Sequence, residues 1–278
     1  MDTEKIIHTG IGVELIRRLA AEGHRIFTSQ QAKEFAPVLG ISPDYVRQSL
    51  HYMTKAGWIV RLHKGLYAIS SAVPGVASAH EFEIAMALVE PAAISHWSAL
   101  HYHGLTEQLP RRVFLLTTTE TSIPRIRGEK AKDVQKGYIA AGIIYQFVRV
   151  KPERFFGTEK VWIDEARVTI TDPERTLLDG LTMPGYCGDF AEVLHAFEVR
   201  GNALDLDRII PYALKLDAAV AKRLGWVLER QGIEPSMLEP LTTLPIKGYR
   251  MLDASGPRKG PYNHRWMVQE NLPGKVAE

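Results

Sequence analysis

The residues with the most direct chemical reading lie between positions 44 and 64. Within PDYVRQSLHYMTK, Val46, Leu50 and Met53 recur at i, i+4 and i+7, the spacing of a buried helical stripe. At about 100° per residue, Asp44, Gln48, His51 and Lys55 point away from that stripe. Arg47 lies on one flank of the polar face, with Tyr45 and Tyr52 on the other. Such a face suits a nucleic acid. Arginine and lysine neutralise phosphates, and glutamine can pair bidentately with an adenine edge. Just downstream, Arg61, His63 and Lys64 flank or form the turn of a hairpin in WIVRLHKGLYAI. There they would meet a phosphate backbone or a minor groove. The competing reading is a helical domain with an ordinary solvated face.

Other constellations carry less. His96, His101 and His103 form H-x4-H-x-H, but on a helix only 96 and 103 share a face, with no nearby cysteine or carboxylate ligand motif; packing histidines are expected, and no metal. Asp205 and Asp207 form D-x-D without the upstream Gly-Ser turn of a nucleotidyltransferase, so they read as helix-start acids. Asp172, Glu174, Arg175 and Asp179 are dense enough for a catalytic cluster, yet capping and ion pairing explain them equally. The adjacent strand RVTIT adds no nuclease-like acids. Cys187 has no activating neighbour. Phosphate loops and G-x-S-x-G are absent from the sequence, and no catalytic residue or cofactor is expected.

The elements that would position the basic face read clearly. Residues 13–22 place Val13, Ile16, Leu19 and Ala20 on one helical side before Gly23. Phe27 and Thr28 form a short extended piece, and Ser29 can cap a second helix that ends near Pro37 and Gly40. Ser42 and Pro43 open the third helix, and Gly57 closes it. Helix, helix, turn, helix and hairpin is the order of a winged helix-turn-helix, whose third helix enters the major groove. Residues 1–72 hold 9 Lys or Arg and 6 Asp or Glu, a balance of +3 that leaves −1 for the rest of a chain whose net charge is +2. Across 42–67 the balance is four basic to one acidic, where DNA contact would need it.

SSAVPG (70–75) reads as a linker. Beyond it come a helix within 78–89, strands at 111–119 and 142–150, and a hairpin at 161–164 and 167–171. TDPERTLLDGL begins a helical stretch, and apolar stripes across 190–232 suggest a helical subdomain. Residues 255–278 read as an extended arm that packs back through aromatic anchors. The expected fold is α+β: a winged helix over 1–72, then a larger domain over 76–278 with a mixed or antiparallel sheet.

The chain's 278 residues suit two domains, with 45% hydrophobic and 24% charged residues arguing against disorder. One cysteine excludes an internal disulfide and fits a reducing, cytoplasmic setting. Neither a signal peptide nor a run near the roughly 18 apolar residues of a spanning helix is evident.

Several segments together resemble the AbiEi antitoxins of type IV toxin–antitoxin systems. They are Ser95-His96-Trp97-Ser98-Ala99-Leu100, Gly104-Leu105-Thr106, Phe155-Phe156-Gly157 and Asp172 through Asp179, with Lys64-Gly65-Leu66-Tyr67 at the end of the hairpin. The similarity runs from about residue 10 to about residue 253. It implies a repressor that binds inverted repeats before its own operon. It also implies a second domain that counteracts a nucleotidyltransferase toxin without a stable complex. It carries over no catalytic residue. With no long heptad, the chain reads as a monomer that loads pairwise on DNA. Two alternatives remain open: a ligand-responsive winged-helix regulator unlinked to a toxin, and a nucleic-acid- or protein-modifying enzyme brought to its target by the winged helix.

Overall fold

The computed structural model describes residues 2–124 and 137–272, with side chains from Gly12 onward. The N-terminal part builds α1 (Asp2–Ala21), β1 (Ile26–Thr28), α2 (Ser29–Phe35), α3 (Pro43–Lys55), β2 (Ile59–His63), β3 (Leu66–Ile69) and α4 (Glu81–Leu88). After it come β4 (Ala93–Ile94), α5 (His96–Tyr102), β5 (Val113–Thr118), β6 (Tyr138–Ala140) and β7 (Ile143–Val150). Next are β8 (Thr158–Ile163), β9 (Ala166–Thr171), α6 (Pro173–Thr182), α7 (Phe190–Arg200), α8 (Leu206–Leu216) and α9 (Ala218–Arg230). The described part ends with α10 (Glu239–Thr243), β10 (Arg250–Met251), β11 (Tyr262–Asn263) and β12 (Val268–Gln269). The fold is α+β.

Two compact units share these elements. The first comprises Met1–Pro91, Thr121–Phe147 and Trp162–Val168; the second comprises Ala92–Glu120, Val148–Val161 and Thr169–Glu278. This division differs from the 1–72 and 76–278 split expected from a linker at 70–75. That stretch is not loose, because Val73 is only 2% exposed and packs into the core of the first unit. Further ties within the same unit come from later chain. Arg25 pairs with Glu83 at 3.4 Å and with Glu165 at 3.1 Å, and the Tyr138 hydroxyl donates to the Leu62 carbonyl.

In the first unit, β1, β3 and β2 form an antiparallel sheet in that order. Leu15, Ile16, Leu19, Phe27, Val46, Leu50 and Met53 fill the core beneath it. The cap of α2 is Thr28 rather than Ser29. Thr28 Oγ1 accepts from the Gln31 amide at 3.1 Å while Gln31 Oε1 accepts from the Thr28 amide at 2.8 Å, a reciprocal capping box. The Ser29 amide instead donates to the Gly65 carbonyl, which ties the helix start to the hairpin turn. Ser42 holds the N-cap position of α3 without a side-chain cap bond.

In the second unit, β4 runs antiparallel to β5, with Ile94 opposite Leu115, and parallel to β9, with Ile94 opposite Ile170. The sheet is therefore mixed. Helices α5 to α10 surround one apolar core that also takes Leu252, Trp266 and Val268. The helices of 190–232 thus share their core with α6 and with the C-terminal segment. That segment is folded rather than simply extended. β10, β12 and β11 make a three-stranded sheet, parallel on one side and antiparallel on the other. Residues 273–278 of the expected arm lie outside the described residues.

Candidate nucleic-acid interface

α3 owes its orientation to its buried stripe. Val46, Ser49, Leu50 and Met53 are buried, which turns Arg47, Gln48, His51, Tyr52 and Lys55 to solvent. Tyr45 departs from the expected face: it is half-buried and packs against the apolar core. Its position one residue before Val46 draws the ring toward the stripe. Tyr52 is 46% exposed, with its ring 6.0 Å from that of His51.

The wing is β2, the Lys64-Gly65 turn and β3. Gly65 has φ +80°, a left-handed conformation that a side chain would strain, so the tight turn needs glycine there. A bulge between Arg61 and His63 shifts the register of β2 against β3. Arg61 is exposed, and its Nε donates to the His63 carbonyl at 3.2 Å. His63 is half-buried, with Nδ1 3.1 Å from the Lys64 carbonyl oxygen. Lys64 is exposed at the tip. Burial pushes the Tyr138 hydroxyl above its ordinary pKa, and the charge of Arg61 works against that shift. Eight of the nine expected contact residues therefore stand on one exposed helix face or on the wing, and Tyr45 is the exception. Tyr138 is the addition that local sequence could not reveal, because it reaches β2 from a distant strand.

The second unit contains a buried polar centre. Asp172 Oδ1 caps α6 by accepting from the Arg175 amide at 2.8 Å, and its Oδ2 accepts from the Tyr212 hydroxyl at 3.1 Å. Burial raises the Asp172 pKa against these bonds. Glu174 is fully buried, and its Oε1 accepts from Arg200 Nη2 at 2.8 Å, with Arg208 3.7 Å from Oε2. Arg175 donates from Nε to Asp179 Oδ1 at 2.9 Å and from Nη1 to the carbonyls of Arg154 and Phe156. The arginines thus spend the acids on structure.

The three histidines diverge. His96 is buried beside Ser95 Oγ, His101 is exposed, and His103 Nε2 lies 2.7 Å from the Thr171 carbonyl oxygen. Burial lowers the pKa of His96, while the nearby Asp179 charge pulls it up. His96, Asp179, Arg175, Arg154, Thr182 and Asp217 border a cavity of about 30 Å³, room for a water molecule or two. Asp179 Oδ2 has no hydrogen-bond partner. Cys187 is buried, and burial pushes its thiol well up, which favours the thiol over the thiolate.

Comparison with known families then bears on the winged helix. Residues 14–70 match the family model described as transcriptional regulator, AbiEi antitoxin. The N-terminal domain is AbiEi-like. No match appears among curated proteins. Among solved structures, the crystal structure of the RV2827C protein from Mycobacterium tuberculosis is similar, with a TM-score of 0.63 at 14% identity. That likeness covers 91% of this chain and 88% of the other, and at such identity it concerns the fold alone.

The AbiEi match runs from within α1 to the end of β3 and includes all nine expected DNA-contact positions, Tyr45 to Lys64. The fold likeness extends over most of the chain, both units included. Among the described residues, no helix is long and apolar enough to cross a membrane.

Proposed function

We propose that the protein is an antitoxin-type repressor: α3 reads an inverted-repeat operator before its own operon, and the second unit counteracts a nucleotidyltransferase toxin. The observation that carries this reading is the exposed face of Arg47, Gln48, His51 and Lys55 on α3, flanked by wing cations, within the AbiEi-matched segment. Arg47 and Gln48 face outward together and supply base-edge chemistry, while Arg61 and Lys64 supply phosphate contacts. The reading is of a non-enzymatic regulator in the cytoplasm, because the acids of the second unit are held by capping and arginine pairing. It carries no cofactor. A 30 Å³ cavity takes water rather than a metabolite, so it gives no support to the ligand-sensing alternative.

The full chain acts as a monomer that loads pairwise, with half-sites a helical turn or a multiple apart. The test is a mobility-shift titration on the chain's own promoter at several salt concentrations. Gln48→Ala should relax sequence preference by about 1–3 kcal/mol at one base pair. Arg61→Ala or Lys64→Ala should weaken all sequences alike and lower the salt slope by about one unit per lost contact. Unchanged binding in all three variants would reject the interface. For the second role, the full chain and the neighbouring nucleotidyltransferase are co-expressed from foreign promoters. Failure to restore growth would reject the antitoxin assignment while leaving the repressor intact.

A further inference from the structure

The C-terminal segment carries a surface that the operator reading leaves unused. Residues 247–265 hold five Lys or Arg, with His264 in addition, against one acid, Asp253. That acid is turned to local structure, because its Oδ1 accepts from the Ser255 amide at 2.8 Å. The neighbouring acids are also occupied. Glu270 Oε1 accepts from Trp226 Nε1 at 2.7 Å and from Asn263 Nδ2 at 2.9 Å, and Glu229 pairs with Arg265 at 2.6 Å. Arg250, Arg258 and Lys259 remain exposed, and among the described residues they make no ion pair.

Beside these cations is a cluster of rings. Tyr249 and Tyr262 have centroids 4.7 Å apart, and Tyr249 meets His264 edge-on at 5.7 Å with its hydroxyl against the histidine Nδ1. Tyr262 is 55% exposed and His264 is exposed. The loop between β10 and β11 is fixed in place. Asn271 Nδ2 donates to the carbonyls of Asp253 and Pro257, and the Glu270 amide donates to the Pro261 carbonyl. Gly260 has φ +135°, and a Cβ there would lie 2.0 Å from the Glu270 carbonyl oxygen. The backbone that presents Arg258 and Lys259 is therefore specified in detail, while their side chains are left to solvent.

We propose that the surface around Tyr262 in the C-terminal segment binds single-stranded nucleic acid, with the Tyr262 ring stacking on a base and Arg258 and Lys259, just before it in the chain, tracking the phosphates. Arg250 projects from the opposite face of the sheet, in register with Val268 and Asn263. Exposed rings beside fixed cations are the two parts of a single-strand platform. A duplex hides its base faces within the stack, whereas an unpaired strand offers them. An acidic protein would use the cations but has no need of the ring faces.

The experiment uses the full chain carrying Gln48→Ala, Arg61→Ala and Lys64→Ala, so that α3 and the wing contribute little. Fluorescence anisotropy is measured with labelled oligo-U and oligo-dT of about twelve nucleotides, within the site sizes of single-strand binders. A duplex and poly-glutamate serve as competitors. The expected result is binding to one or both single strands in preference to duplex. Tyr262→Ala should weaken it by about tenfold, and Tyr262→Phe should retain it. Arg258→Ala with Lys259→Ala should lower the salt slope by about 1.4, at about 0.7 per phosphate on a single strand. Absence of binding, equal binding to duplex, or affinity indifferent to Tyr262→Ala would overturn the proposal. Displacement by poly-glutamate with Tyr262→Ala silent would instead mark a surface for an acidic protein. Circular dichroism of each variant confirms that the exposed changes leave the fold intact.

Discussion

Gly225→Ala sets two well-defined effects against each other, and the structure decides the sign. Gly225 is inside α9, where alanine is favoured over glycine by up to about 1 kcal/mol. By propensity alone the substitution stabilises. However, a Cβ at this position would lie 1.9 Å from Trp266 Cζ3 and 2.3 Å from Cε3. Trp266 is fully buried, and its Nε1 donates to Glu229 Oε2 at 2.6 Å, so the ring cannot swing into solvent. It must shift within a packed core. Overpacking of this kind costs about 1–3 kcal/mol. Disturbing a hydrogen bond to a carboxylate adds about 1.5–3 kcal/mol.

The net expectation is a loss of about 1.5–5 kcal/mol once the helix gain is subtracted. For a chain of this size, at about 2.1 cal/mol/K of unfolding entropy per residue, that lowers the melting temperature by about 3–9 °C. Urea titration of the full chain by tryptophan emission reads the effect, and two compact units make a second transition possible. Trp266→Leu supplies the control. Alone it leaves a void and destabilises, whereas on the Gly225→Ala background it costs less, because the smaller side chain relieves the clash. If Gly225→Ala melts at or above the wild type, or if the two changes add without coupling, the packing argument is refuted.

Three further outcomes follow from the same reasoning. Glu174→Gln keeps the shape but removes the buried charge facing Arg200 and Arg208, and should cost about 3 kcal/mol in a denaturant titration; a change under 1 kcal/mol would mean that water already compensates those arginines. His96 has a folded-state pKa below its ordinary 6.5, so its contribution to stability is whole above about pH 6.5 and is lost as pH falls toward the lowered value. Asp172 and Glu83, both raised by burial, act in the opposite sense, so the measurement is the difference between wild type and His96→Gln, whose stability should fall less between pH 7 and 5; parallel curves would contradict it. Thr28→Ala breaks the capping box and should cost about 1 kcal/mol, against almost nothing for Ser29→Ala, as thermal melting would show.

The winged helix was legible because its signals are local. The Val46, Leu50 and Met53 stripe alone orients α3, and Lys64-Gly65 alone places the hairpin turn. Reasoning from single residues failed where two candidates stood side by side. Thr28 and Ser29 both suit a cap, and only the return bond from Gln31 selects Thr28. Tyr45 belongs to the polar face by angle, yet a large ring beside a stripe finds apolar surface that a wheel projection does not display. β6 was not foreseen, since a strand as short as Tyr138–Ala140 exists by pairing with β7 rather than by its own pattern. The C-terminal sheet escaped for the same reason. Its strands are two residues each, and what folds them is Trp266 filling the space over Gly225, forty-one positions earlier in the chain.

The polar cluster of α6 shows why charge patterns mislead about burial. Asp172, Glu174, Arg175 and Asp179 have the spacing of a capped, ion-paired surface helix, and each is nonetheless buried. Their partners are Arg200, Arg208, Tyr212 and the carbonyls of Arg154 and Phe156, which belong to other elements of the second unit. A carboxylate such as Glu174 can be withdrawn from water only when those groups arrive together, so its environment is a property of the assembled core and not of the helix. Two oxygens of the cluster are left without a hydrogen-bond partner: Glu174 Oε2, 3.7 Å from Arg208 Nη1, and Asp179 Oδ2, whose residue borders a space suited to water. On α3 and its wing, and on the loop of Arg258 and Lys259, by contrast, exposed cations are not held in such buried pairs.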